Sequence, residues 1–404
     1  MNGNFNMVKK PKKDDNEFMD EEEIELEEEK KTTNTSDAKK KMIKFMGIIM
    51  IVILVLFFIL YLVSLLSNRS YSYEDLETLM KEAAISYFAD HPEHLPQDEG
   101  NIVEIDSTNL VAAEKMKDLS EYTSEEVLCS GKVQVEKSGN EYLYTPYLNC
   151  GEAYETIELY KKIVNEDNVV TAGYGLYPSN GSYIYRGENV NNYVKLGKSM
   201  WRIVKVTSNN NVVLVSDDGT PYSQPWDDRY NENRFFEAGM NQYSASRIKE
   251  YLERIYDNPV KEDGEDILSN SDKAKLVSYN ICTAKRSKNS ETKDNTEECA
   301  EMLQNQKLGL LTLSDYLYAS IDPNCKSAET KSCKNYNYLT KDYDWWLVTA
   351  DKDDNSMVFK VDQNGIAVSD TASTYSIVRP VIYLNSSVMY KSGKGTLEKP
   401  FKVK

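Results

Sequence analysis

Histidine is nearly absent from this chain of 404 residues, which contains only His91 and His94. No histidine follows residue 94, so the long C-terminal part lacks the imidazole base of a Ser-His-Asp or Cys-His catalytic group. Carboxylates are plentiful, but their abundance alone does not indicate a paired acid and base. We therefore predict no catalytic residue and no cofactor.

Cysteine is also scarce, and no two cysteines have C-x-x-C spacing. Because the histidines lie far from most of the six cysteines, the sequence predicts no zinc site and no other metal site. All six follow residue 128, and an even number is typical of disulfides formed in an oxidising compartment. Proximity in sequence favours the pairs Cys129–Cys150, Cys282–Cys299 and Cys325–Cys333, although six cysteines allow about fifteen connectivities.

An excess of positive charge is lacking as well, since the formal net charge is −17. Nucleic acids need a basic surface to neutralise their phosphates, so we expect no nucleic-acid partner. An acidic balance is typical of a soluble, exposed domain.

Charged residues are missing from one long run, residues 45–66, which is bounded by Lys44 and Arg69. About 22 residues at about 1.5 Å each cover the ~30 Å hydrocarbon core of a bilayer, so we predict a transmembrane helix. The run is too long for a signal peptide, and it lacks an A-x-A-like cleavage site. Lysines crowd its N-terminal side, which predicts a single-pass cell-membrane protein with a cytoplasmic N-terminus and an extracellular C-terminal part.

Residues 1–44 are polar and contain a dense acidic block at 20–29. Their apolar content is too low to bury a core, so we predict a disordered cytoplasmic tail.

Residues 70–150 predict a small α+β module. A capping-box pattern at Ser72 and Asp75 precedes apolar residues at helical spacing, and a second short helix is expected near 110–119. Residues 131–145 predict a hairpin with its turn at 138–140, since polar and apolar residues alternate on both sides.

This module resembles a pilin or pseudopilin, in which an apolar N-terminal helix continues into a few strands and a C-terminal cysteine loop. The resemblance rests on Leu95-Pro96 and on the CSG (129–131) and YLNC (147–150) segments. Unlike a prepilin, the chain has Ile48 after Gly47 and no acid in the apolar run, so we expect a permanent anchor.

After a linker at 151–165, residues 166–404 are enough for one large hydrophobic core. Short β-type runs dominate this part, and helices are expected after Ser244 and after Thr312 or Ser314. The pattern predicts an α+β domain with a largely antiparallel sheet and long loops.

Seven segments of this domain together resemble a bacterial surface domain family of unknown function, which is similar to the C-type-lectin-like fold in its formylglycine-generating-enzyme variant. The resemblance implies a fold for about residues 170–404 and does not imply a reaction. The segments are GYGLY (173–177), YIYRGENVNNY (183–193), MWRIV (200–204), GLLTLSDY (309–316), WWLVT (345–349), VRPVIYL (378–384) and GKGTLEKPF (393–401).

One loop mixes aromatic, acidic and basic side chains and is the candidate ligand-binding site: Trp226, Asp227, Asp228, Arg229 and Tyr230. Such a mixture can stack on a sugar ring or anchor a protein partner, whereas the structural alternative is an ordered loop with Trp226 in the core.

Alternation along the WWLVT strand predicts that one of Trp345 and Trp346 is buried and the other half-exposed. The acidic stretch 351–356 favours an exposed hairpin turn over a calcium loop, because Gly and Glu are missing where an EF-hand requires them.

The sequence thus predicts a membrane-anchored surface protein whose distal domain binds a cell-wall glycan or a protein ligand. A structural, pseudopilin-like component of an envelope or secretion assembly is the alternative. An oxidase of the formylglycine type ranks last, because Cys325 and Cys333 bracket a hydrophilic loop.

Overall fold

The computed structural model describes residues 40–59, 61, 71–123, 127–232, 239–257 and 267–404. The predicted tail up to residue 39 lies outside the described residues, as do residues 60 and 62–66 of the predicted span. The chain divides into two compact units, Met1–Glu74 and Asp75–Lys404.

Among its described residues, the first unit contains one long apolar helix, α1 (Lys40–Ile59). The most apolar stretch of α1 is not buried inside the protein. Its 20 residues cover about 30 Å at about 1.5 Å per residue, so α1 is long and apolar enough to cross a membrane.

The second unit begins with a small module in which helices pack on a three-stranded antiparallel sheet of order β1-β2-β3. The predicted hairpin is confirmed: Ser138 pairs with Glu141 across a two-residue turn. The second helix is shorter than expected and ends well before residue 119. The elements are α2 (Tyr73–Asp90), β1 (Ile102–Asp106), α3 (Ser107–Ala112), a 3₁₀ turn (Leu119–Glu121), β2 (Ser130–Ser138) and β3 (Glu141–Asn149).

The core of this module forms because α2 places its apolar residues on one face. Leu76, Met80 and Phe88 are buried there, as are Val133 and Val135 on β2. The disulfide Cys129–Cys150 forms as predicted at the open end of the hairpin. A cross-link over about 20 residues stabilises such a small core by about 3 kcal/mol in the chain-entropy model.

The stretch predicted as a linker contains a short helix, α4 (Leu159–Ile163). Its two terminal residues are fully buried in the core of the large domain. Backbone hydrogen bonds tie this stretch both to the small module and to the large domain. The Thr156 amide donates to Leu148 O and the Leu159 amide donates to Val388 O, each at 2.8 Å.

A buried carboxylate on α2 fastens the small module to the large domain. Glu77 Oε1 accepts hydrogen bonds from Tyr154 Oη at 2.8 Å and from Lys404 Nζ at 2.6 Å. The Thr156 hydroxyl also donates to it. We call these four residues the Glu77 clasp.

The large domain is built on an eight-stranded sheet with the order β16-β8-β7-β6-β18-β17, and β5 joins β4 to β7. Its pairs are antiparallel except for β6 with β18. The strands are β4 (Gly175–Ser179), β5 (Ser182–Arg186), β6 (Tyr193–Leu196), β7 (Ser199–Val206), β8 (Val212–Ser216), β16 (Val381–Leu384), β17 (Tyr390–Ser392) and β18 (Phe401–Val403).

Smaller antiparallel sheets complete the large domain. They pair β10 with β11, β12 with β13 and β14, and β9 with β15. Their strands are β9 (Gln224–Pro225), β10 (Tyr279–Cys282), β11 (Met302–Gln306), β12 (Trp345–Ala350), β13 (Met357–Val361), β14 (Ala367–Thr371) and β15 (Tyr375–Ser376). The mixed α+β class is therefore confirmed.

Three helices, α5 (Arg247–Asp257), α6 (Asn270–Lys273) and α7 (Leu313–Ala319), lie between these strands. The expected start of α5 at Ser244 is wrong: the Ser246 hydroxyl accepts the Lys249 amide, so Ser246 provides the cap. At α7 the cap is Thr312, one of the two residues expected, and Asp315 completes a capping box with it.

All four tryptophans of the chain, Trp201, Trp226, Trp345 and Trp346, are fully buried. The expectation that Trp345 and Trp346 differ in exposure is therefore wrong. Every residue of β12 is buried, because protein packs on both of its faces.

Arg379, from the VRPVIYL segment, is also buried and has a structural role. Its Nε donates to Ser216 O at 2.9 Å and its Nη1 donates to Leu339 O at 3.0 Å. The guanidinium stacks over the Trp345 ring at 4.6 Å. Arg379 therefore ties the end of β8 and the Trp345 ring to the loop at Leu339.

Candidate functional site

The loop predicted to bind ligand is partly built into the core. Trp226 is fully buried, and its Nε1 donates to Leu347 O at 3.0 Å. Asp227 is fully buried as well. Its carboxylate accepts Arg229 Nε at 2.8 Å and the Arg247 amide at 3.3 Å, so it orders the loop and the start of α5.

The other three loop residues lie nearer the solvent. Tyr230 is 64% exposed. Asp228 is exposed and lies 3.6 Å from Arg247 Nε. Arg229 is half-buried and directs its Nη2 to Asp227 Oδ2 at 2.6 Å. Of the five predicted residues, the structure thus presents mainly Asp228 and Tyr230 to a partner.

A polar cleft of about 390 Å³ opens elsewhere on the large domain, and we call it the Lys205 cleft. The β4–β5 hairpin, the end of β7, strand β10 and the first turns of α7 surround it. It is lined by Ser179, Asn180, Ser182, Ile184, Lys205, Thr207, Asn280, Cys282, Lys293, Asp294, Asn295, Ser314, Asp315, Tyr318 and Tyr383.

An ion pair lies at the centre of the lining, with Lys205 Nζ 3.0 Å from Asp315 Oδ1. Burial alone would raise the pKa of Asp315, but the charge of Lys205 and the bonds from Thr312 outweigh it and hold this pKa below its usual value. Burial alone would lower the pKa of Lys205, but the charge of Asp315 and its hydrogen bond outweigh burial and raise this pKa above its usual value. Both groups are therefore charged at neutral pH.

The capping box of α7 explains why Asp315 stands here. Its Oδ2 accepts the Thr312 amide at 3.0 Å and the Thr312 hydroxyl at 2.8 Å. Oδ1 is therefore available to Lys205. Lys205 lies near the end of β7, where it pairs with Ile184 of β5. One carboxylate thus begins a helix and fixes the central charge of the cleft.

Tyrosine rings form part of the walls. Tyr383 stacks on Tyr279 with centroids 3.8 Å apart and planes 13° apart. The Arg186 guanidinium lies 4.6 Å over the ring of Tyr318 and donates from Nε to the Tyr318 carbonyl at 2.9 Å. These rings are held in place, so little ordering is needed before a ligand packs on them.

A buried carboxylate outside the lining, Glu298, contacts the cleft residue Ser314. Glu298 is fully buried and accepts the Ser314 amide at 3.1 Å and the Thr349 hydroxyl at 3.2 Å. Arg286 Nη1 lies 3.5 Å from it. Burial raises the pKa of Glu298 above its usual value even though Ser314 and Arg286 act to lower it.

The disulfide Cys282–Cys299 forms as predicted and joins β10, at the cleft, to the turn that carries Glu298. Between these cysteines lies Lys293, whose pKa is lowered by burial and by the neighbouring charge of Arg186. The remaining predicted pair, Cys325–Cys333, forms as well. Together with Asp294 and Asn295, Lys293 supplies the outer rim of the cleft.

This arrangement is suited to holding a polar molecule. Three side-chain amides and several hydroxyls offer both donors and acceptors, and the central charges neutralise each other. A volume of about 390 Å³ falls within the ~300–1,000 Å³ of small-molecule sites.

The sequence does not indicate this cleft, because its residues come from segments far apart in the chain. Two predicted features lie near it: the helix cap at Thr312 or Ser314 and the Cys282–Cys299 pair, which brackets Lys293 to Asn295.

Residues 209–386 match a family described as Domain of unknown function (DUF6273). No curated protein and no solved structure matches the chain. The matched range contains the part of the cleft that runs from Asn280 to Tyr383, whereas Ser179 to Thr207 precede it. Since β7 and β8 pair across its boundary, with Trp201 opposite Ser216, the match covers only part of one continuous sheet.

Proposed function

We propose that this chain is a single-pass membrane protein of the cell surface whose large domain binds a polar envelope ligand, of which a cell-wall glycan is the best candidate. The support for the location is α1, with lysines on its N-terminal side, and three disulfides that all follow it. The N-terminus is then cytoplasmic and the C-terminal part extracellular.

The observation that carries the binding proposal is the Lys205 cleft. Sugar hydroxyls donate and accept hydrogen bonds, and their rings carry apolar faces. The cleft meets both needs, with Asn180, Asn280 and Asn295 as amides and the rings of Tyr318 and Tyr383 as apolar walls. Its paired central charges favour a neutral polar ligand over a strongly charged one.

The finer fold assignment is part of the same proposal. We place residues 166–404 in the C-type-lectin-like class, which is supported by the mainly antiparallel sheets and the disulfide-closed polar insertions. We regard residues 70–150 as a pilin-like stalk, supported by one helix on a three-stranded sheet with a terminal disulfide.

The alternative, assembly as a pseudopilin-like component, has less support. Assembly through the stalk requires an apolar stripe of α2 that faces a neighbour. The residues that would form it, among them Leu76, Met80, Ala84 and Phe88, are buried.

The test is retention of the full chain, in detergent or nanodiscs, on purified cell-wall glycans. We expect Asn280→Ala to weaken retention about fivefold, since one hydrogen bond contributes about 1 kcal/mol. Tyr318→Ala should weaken it comparably by removing an aromatic wall. The matched control is Tyr230→Ala, an exposed tyrosine in the loop, which should bind like the wild type.

Two results would overturn the proposal. If the wild-type chain is not retained on any glycan, the ligand class is wrong. If Tyr230→Ala reduces retention while the two cleft variants do not, the site is the loop and not the Lys205 cleft.

A further inference from the structure

The only two histidines in the chain come together at the C-terminal end of α2. His91 follows the helix, and a 3₁₀ turn, Pro92–His94, carries Glu93 and the second imidazole. His91 Nδ1 lies 3.5 Å from Glu93 Oε1, and His94 Nε2 lies 3.9 Å from the same oxygen. The three candidate ligand atoms all lie within 4.8 Å of one another.

We propose that His91, Glu93 and His94 form a binding site for a divalent transition metal, with Zn²⁺ as the reference ion. Two imidazoles and one carboxylate form a ligand set that Zn²⁺ accepts, with nitrogen and oxygen atoms at about 2.0–2.2 Å. The set leaves a fourth position open. Ca²⁺ prefers six or more oxygen ligands, so this site discriminates against it.

Local geometry favours this use of the residues. Pro92 fixes the backbone at the start of the turn, which limits the directions that Glu93 and His94 can take. The three side chains are 44%, 63% and 52% exposed, so they have room to close from the observed spacing onto an ion.

Tyr87 provides the outer contact that a ligating histidine usually makes. Its Oη lies 3.0 Å from His94 Nδ1, and its ring packs against both imidazoles. When Nδ1 carries the proton and donates it to Oη, the lone pair of Nε2 is free for the metal. Such outer contacts contribute about 10–100-fold to metal affinity.

A groove of about 470 Å³ lies beside the proposed metal site, where the fourth coordination position is open. His94 and Tyr87 line this groove together with the apolar residues Phe88, Val103 and Ile105. A bound ion therefore stands at the edge of a partly apolar groove, where water or a group from a ligand completes its coordination. This site is separate from the Lys205 cleft and does not depend on the function proposed for it.

The scarcity of histidine makes the test selective. In the full chain labelled with ¹⁵N-histidine, only two imidazoles contribute signals. We expect Zn²⁺ to shift both together, with saturation at one equivalent per chain, and Ca²⁺ at the same concentration to shift neither. A His94→Ala variant should need at least tenfold more Zn²⁺ to shift the remaining imidazole.

Three further variants sharpen the result. Glu93→Gln keeps the size of the side chain and should weaken Zn²⁺ binding. Tyr87→Phe removes only the hydroxyl contact to His94, so it should weaken Zn²⁺ affinity about tenfold while the signals of both imidazoles still shift. The double variant His91→Asn/His94→Asn measures the zinc bound by other acidic groups. If neither imidazole shifts with Zn²⁺, or if the two titrate independently, the proposal is wrong.

Discussion

The loop at 226–230 and the Lys205 cleft use similar residues in opposite ways. In the loop, an aromatic ring, carboxylates and an arginine are adjacent in sequence, and Trp226, Asp227 and Arg229 satisfy one another or the core. In the cleft, comparable groups come from segments more than 200 residues apart, and the central pair, Lys205 and Asp315, is mutually neutralised. The loop is therefore held together by contacts between sequence neighbours, whereas the cleft depends on contacts between distant segments.

Trp226→Ala tests the structural role of the loop and should have the largest effect. Removing a fully buried indole leaves a cavity and the Leu347 carbonyl without its donor, so the free energy of unfolding should fall by about 3–5 kcal/mol. Chemical denaturation of the full chain measures this. Tyr230→Ala in the same loop should change it by less than about 0.5 kcal/mol. Equal effects would remove the distinction between the buried and exposed parts of the loop.

Asp315→Asn tests whether the cleft depends on its central ion pair. The variant leaves Lys205 partly buried without its counter-ion, and we expect a loss of about 2 kcal/mol in unfolding free energy. This is below the value for a fully buried pair, because the side chains are 17% and 14% exposed. Asp228→Asn breaks the exposed pair with Arg247 and should cost less than about 1 kcal/mol. A larger loss for Asp228→Asn would reverse the comparison.

The smallest expected effect is in the pH dependence, where the two carboxylates of the cleft act in opposite directions. Folding lowers the pKa of Asp315. Its contribution to the free energy of unfolding is therefore present above its unfolded pKa of about 3.8 and is lost as the pH falls through the folded pKa. Folding raises the pKa of Glu298. Its contribution to the free energy of unfolding is therefore present below its unfolded pKa of about 4.5 and is lost as the pH rises through the folded pKa.

Glu298→Gln should therefore reduce the loss of stability above pH 4.5, and Asp315→Asn should reduce the loss on acidification below about pH 4. Unfolding midpoints measured between about pH 3 and pH 8 check both slopes. A Glu298→Gln curve parallel to that of the wild type would contradict the role given to Glu298.

Several local features could be predicted from the sequence, although the cap of α5 and the extent of α3 could not. The hairpin at 130–149, the Thr312 cap and all three disulfides depend on residues close together in the chain, so spacing alone indicates them. The alternation rule failed at Trp345 and Trp346 because it assumes that one face of the strand meets solvent, whereas β12 is covered on both.

Most of the candidate site was beyond local reasoning. That Lys205 meets Asp315 depends on how β7 lies against α7, and residues 110 positions apart carry no spacing signal. The histidine cluster is also only partly predictable from the sequence. His91 and His94 lie close together in the chain, but the contact between His94 and Tyr87 depends on the turn that follows α2.

The Glu77 clasp gives the outer part of the molecule a mechanical property. A pulling force that acts on the large domain passes to the small module and its helix α2. It travels along two parallel connections, the paired backbone at residues 156–159 and the side chain of Lys404 on Glu77. Neither connection is a flexible linker, so a pull on the large domain is transmitted directly to α2.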